Sequence, residues 1–169
     1  MLKLLIIASC LYSSIYSIHF NSITGDDQNF GQYQGKKILI VNIATGSDKV
    51  SQIGQLEELY QQYHDSLVII AFPSNSFGNE PKTNAEIKQL CEGVFHTTFP
   101  LAQKGAVMGT NAVPIYQWLA SQAENGVMNG TVVQDFQKFL VDKNGALIGV
   151  FGPETDPMST AIREAITEN

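Results

Sequence analysis

Lys37 to Ala44 reads KILIVNIA, a near-continuous apolar run of the kind that only a strand buried on both faces requires. Gln52 to Tyr63 changes period: Ile53, Leu56, Leu59, Tyr60 and Tyr63 fall on one helical stripe. Leu67 to Phe72 is a second all-apolar strand, stopped by Pro73. Strand, helix and strand in such close succession predict a parallel pair joined by a crossover helix. That commits the chain to an α/β fold.

The remaining elements build on this unit. Ser14 to Phe20 alternates as a short strand, with Thr24-Gly25-Asp26-Asp27 as the turn out of it. Asn84 to Val94 is a helix with Ile87, Leu90, Cys91 and Val94 in register, and Val113 to Ala120 is a shorter one. Lys138 to Val141 and Ala146 to Phe151 are strands joined through Asp142-Lys143-Asn144-Gly145. The Asn-Gly pair predicts an antiparallel hairpin there. Pro157 opens a last helix, running to about Ile166. The predicted architecture is a central mixed sheet flanked by helices, in one domain over residues 14–169.

The first thirteen residues, MLKLLIIASCLYS, stand apart. Lys3 precedes a short apolar run and then small residues, the layout of an export leader, which predicts a periplasmic or secreted protein. Ile7-Ala8-Ser9-Cys10 also matches a bacterial lipobox, with Cys10 as the lipidated residue; a buried N-terminal strand is the third reading. No stretch is long enough to span a bilayer. The formal charge is −6, with no basic stripe, which argues against nucleic acid and against anionic membrane surfaces as partners. Cys10 and Cys91 are the two cysteines. Loss of the leader would leave Cys91 alone, with no internal disulfide and no Cys-x-x-Cys motif.

Three segments carry a resemblance: VNIATGSDK (Val41 to Lys49), AFPSNSFGNEP (Ala71 to Pro81) and DFQKFLVDKNG (Asp135 to Gly145). They resemble the glutathione peroxidase family, a branch of the thioredoxin fold, and the likeness continues through Asn111-Ala112, Pro114, Tyr116, Leu119 and Pro153 to Ser159. The resemblance implies a βαβ half, a hairpin and a closing helix, with Asn84 to Val94 as the helix that the peroxidase branch inserts. It also implies reduction of hydrogen peroxide or organic hydroperoxides by thiols, a role in the oxidative-stress response, and no cofactor. The compact length resembles the monomeric members. Thioredoxin or another thiol would be the reductant of an active member.

In that family a reactive cysteine or selenocysteine follows the VNVAS-like strand, where backbone N–H groups and the helix dipole favour a thiolate. Gln, Trp and Asn support it. The resemblance places these four positions on Ser47, Ser76, Gln134 and Asp135, and every one is substituted. A serine hydroxyl is far less acidic than a thiol and cannot cycle through a sulfenic acid. A serine nucleophile would need an adjacent base, and neither His19, His64 nor His96 falls in a suitable place. Ser47 and Asp48 are expected to cap the following helix. Asp48 and Asp135 are expected to be two surface acids that do not meet; the other reading has them close enough to raise a pKa or bind a cation. Cys91 aligns with the resolving cysteine of two-cysteine members, and its place in the helix stripe predicts a small buried hydrophobe. Three functions follow: a relative without peroxidase turnover, a weak thiol peroxidase using Cys91, or a binding module using the former active-site pocket.

Overall fold

The computed structural model describes residues 13–168. The predicted leader, Cys10 included, lies outside the described residues apart from Ser13. Elements run β1 (His19–Asn21), β2 (Asp27–Asn29), β3 (Lys37–Ile43), α1 (Gln52–Tyr63), β4 (Leu67–Pro73), α2 (Asn84–Val94), α3 (Pro114–Ala120), α4 (Gln122–Asn125), β5 (Lys138–Val141), β6 (Leu147–Phe151) and α5 (Thr160–Thr167).

The main sheet has the order β4-β3-β5-β6. β3 and β4 are parallel, as the crossover demands, and Ile40 lies opposite Ile70. β5 runs antiparallel to β3, and β6 antiparallel to β5. Each residue of β4 is buried, as is every residue of β3 after Lys37, because both faces of the sheet are covered. On one face Leu39, Val41 and Ile69 pack with Ile53, Leu56, Ile87 and Ile162 from α1, α2 and α5. On the other, Ile38, Ile40, Ile70 and Phe139 pack with Phe20, Phe30, Tyr116 and Leu119, so α3 and the N-terminal hairpin close that side.

Local chemistry redraws several predicted boundaries. Ser14 to Ser17 is not strand: the Ser14 hydroxyl accepts from the Tyr16 N–H and caps a 3-10 turn over Ile15–Ser17, and strand begins at His19. Here a side chain-to-backbone bond outcompetes the ladder. Pro157 does not open the last helix. The Asp156 carboxylate accepts from the Met158 N–H, and the Ser159 N–H donates to the Asp156 carbonyl, so these residues form a turn and α5 starts at Thr160. In α2, Ile87 and Cys91 are buried but Val94 is 65% exposed, because the stripe runs off the edge of the core. A Thr83–Glu86 capping box fixes that helix's start. The β5–β6 turn behaves as the Asn-Gly signal predicts, with Gly145 at φ 91° and the Asp142 carboxylate accepting from the Asn144 and Ala146 N–H groups.

Candidate active site

Three backbone segments meet beyond the ends of β3 and β4: the turn 44–51, the loop 74–80 and the bend 134–136. Buried polar groups join them. The Glu80 side chain is fully buried, and its carboxylate accepts from the Thr45 N–H at 2.6 Å, the Thr45 hydroxyl at 2.7 Å and the Lys82 N–H at 3.1 Å. The Gly46 N–H donates to the Asn79 carbonyl at 2.9 Å. A Cβ at position 46 would lie 2.7 Å from that same oxygen, so glycine is what permits the close approach. On the third side, the Asn42 amide donates to the Gln134 carbonyl at 3.0 Å, and the Phe136 N–H donates to the Asn42 carbonyl at 2.7 Å. Phe136 stands at φ 65°, a conformation that costs a non-glycine residue about 1–2 kcal/mol. Asn42 and the burial of the Phe136 ring hold it there.

Ser47 is 6% exposed. Its hydroxyl accepts from the Lys49 N–H at 3.3 Å and reaches the exposed Asp48 carboxylate at 3.4 Å. The expected helix cap is corrected here. Residues 44–54 pass through successive tight turns, with Ser47, Val50, Gln52, Ile53 and Gly54 N–H groups each donating three residues back. These turns delay α1 until Gln52, so Ser51 takes the N-cap position and makes no side-chain cap bond. Ser47 therefore caps a turn ahead of the helix.

Asp135 also departs from expectation. It is 0% exposed, whereas a surface acid was predicted. One carboxylate oxygen accepts from the Asn79 amide at 2.7 Å, while the other is buried with no partner. Burial raises its pKa above the ordinary aspartate value. The Asn79 bond and Lys49 oppose that rise, while the negative charges of Glu80 and Asp48 add to it. Asp135 thus feels the charge of Asp48, yet no group of three His, Cys, Asp or Glu forms a metal site among the described residues.

The other two positions turn elsewhere. The Ser76 hydroxyl accepts from the Ser74 hydroxyl at 3.0 Å and from the Val107 N–H at 3.1 Å. Gln134 is exposed and is held through its carbonyl. The segments carrying the four positions adjoin, with Asn79 as the link between the Ser47 turn and Asp135, while no hydrogen bond joins any two of the four side chains. Asn79 carried no signal in the sequence, since its partner lies 56 positions away.

Cys91 sits at 0% exposure in the α2 stripe, with its thiol pushed up to about 12 by burial first and by Glu80 and Glu92 second. Lys138 of β5 is fully buried as well. Its ammonium donates to the Thr155 carbonyl at 2.7 Å and to the Pro153 carbonyl at 3.4 Å, and burial brings its pKa down to about 8. The same 153–156 segment is held from the other side by Gln52, Gln55 and the Lys49–Glu154 ion pair at 2.9 Å. A wall is thereby fastened beside the Ser47 turn.

The family model for glutathione peroxidase matches residues 15–120. This chain belongs to the glutathione peroxidase family. It is 38% identical over 146 residues to the glutathione peroxidase homolog BsaA of Bacillus subtilis strain 168, covering 85% of this chain and 91% of that one. A crystal structure of Trgpx in apo form superposes with a TM-score of 0.70 at 29% identity, covering 92% of this chain and 97% of that one. A thioredoxin-family thiol:disulfide interchange protein from Chlorobium tepidum TLS, at 16% identity, shares the fold with a TM-score of 0.65, covering 94% and 99%. The family's thioredoxin-like architecture is the one described above, and its role is that of a thiol peroxidase.

Proposed function

We propose that this glutathione peroxidase family member does not turn over peroxide and acts, where it acts, by binding at the altered site. The observation that carries this reading is the Ser47 hydroxyl, nearly buried and engaged only with Asp48 and the Lys49 N–H. The only base bonded to this hydroxyl among the described residues is the Asp48 carboxylate, which Lys49 holds below the ordinary aspartate range and so leaves too weak to take a hydroxyl proton. Neither His19, His64 nor His96 bonds it. Nor does Cys91 supply the missing sulfur, because a buried thiol pushed up to about 12 offers almost no thiolate at neutral pH. The surroundings oppose an anion further. Where the family resemblance implies a neutral Asn donor, Asp135 brings a carboxyl group.

The test is anaerobic consumption of hydrogen peroxide or an organic hydroperoxide with thioredoxin or glutathione as reductant. Wild type and Ser47→Ala are expected to run at the same background rate. Ser47→Cys alone is expected to recover little, since Ser76, Gln134 and Asp135 remain. Turnover that persists in Ser47→Ala and vanishes in Cys91→Ala would overturn the reading in favour of a peroxidase using Cys91.

A further inference from the structure

A second feature lies on the opposite face of the sheet, between α3 and the segments 107–109 and 130–132. It is a cavity of about 140 Å³, open on one side, with Val107, Ala112, Tyr116, Leu119, Val132 and Phe139 among its walls. No charged side chain lines it. Most of its polar groups are engaged: the Gln117 amide donates to the Ala112 carbonyl, the Thr131 carbonyl accepts from Gln137, and the Gly130 N–H donates to the Ala120 carbonyl, while the Tyr116 hydroxyl is buried without a partner. An ion entering would lose its hydration and find no opposite charge, with at most the one Tyr116 hydroxyl in return. An uncharged apolar molecule meets no such cost, and an apolar cavity of about 150 Å³ is large enough to take benzene.

The cavity's walls are continuous with the altered site. Val107, on one wall, donates its N–H to the Ser76 hydroxyl. Gly130, Thr131 and Val132, on another, run directly into Gln134 and Asp135. We propose that this cavity is a binding site for a small uncharged apolar molecule, a benzene-sized arene or the end of a short alkyl chain. The inference does not depend on whether peroxide is turned over.

The experiment is a titration of the full chain with benzene, and separately with benzoate, followed by amide resonances in two-dimensional NMR. Benzene is expected to give saturable shifts centred on Val107, Leu119 and Val132, with benzoate at least tenfold weaker. Ala120→Phe, an exposed position at the mouth, is expected to weaken benzene binding at least tenfold. Thr131→Phe, another exposed residue lining the cavity, serves as a second plug should the first variant fail to fold. Shifts that never saturate, benzoate binding as tightly as benzene, or undiminished binding in a folded plugged variant would each overturn the proposal.

Discussion

Replacing Asp135 by Asn is expected to stabilise the protein, and to do so only where the carboxyl would be charged. In wild type one oxygen accepts from Asn79 and the other is buried without a partner. Burial, Glu80 and Asp48 all raise the pKa above its ordinary 3.8. The unfolded chain ionises this group at lower pH than the folded one does. Between the two pKa values the folded state therefore binds more protons, and stability falls as pH rises. Above the folded pKa the penalty is complete. Asn keeps an oxygen for Asn79 and carries no charge, but its amide nitrogen inherits the unpartnered place. Only the charge-dependent share of the usual cost of a buried unmet acceptor is recovered. That share is about 1–2 kcal/mol at pH 7, or a rise of roughly 2–8 °C in Tm for a chain of this size. Thermal unfolding followed by circular dichroism from pH 3.5 to 8 reads it directly. The two proteins should nearly coincide at the acid end and diverge toward neutrality. A variant less stable than wild type at pH 7, or a gap that does not change with pH, would refute the reasoning.

Two further perturbations follow from the buried groups nearby. Lys138 is brought down to about 8 from an ordinary 10.5, so between those values the unfolded chain holds more protons and wild type gains stability as pH rises. Urea unfolding at pH 7.5 and pH 10 should show wild type gaining up to about 3 kcal/mol on Lys138→Met over that range; parallel pH curves would argue against it, and comparison of the two proteins cancels the opposite drift contributed by Cys91. Cys91 itself should react with iodoacetamide at least about 100-fold more slowly in the native protein than in urea at pH 8, since burial and a thiol near 12 both withhold the thiolate. Equal rates in the two states would contradict the buried placement.

Where the sequence was legible, the reason was periodicity. The α1, α2 and β5 limits lie where hydrophobic spacing puts them, because each of these elements buries a stripe or a face in a core that spacing alone specifies. Residues 14–17 and 157–159 were misread, because in both places a single side chain, Ser14 or Asp156, captures a backbone N–H and sets up a turn. Ser47, Ser76, Gln134 and Asp135 were singled out through resemblance alone, and their surroundings were not legible. That Asp135 is sealed from water depends on Asn79 and on the left-handed bend at Phe136, and neither leaves a periodic trace. That Ser47 caps a separate turn ahead of α1 was equally hidden, since a run of tight turns and a helical turn share the same polar residues.

The Glu80 carboxylate, locked onto Thr45 and Lys82, has a bearing on what a likeness in this stretch records. It secures the loop from within, through bonds that use neither Ser47 nor Ser76. That shape is thus held by folding contacts, whatever side chain stands at position 47. A family likeness in this stretch is therefore a record of what folding demands, and the reactive position itself must be read separately.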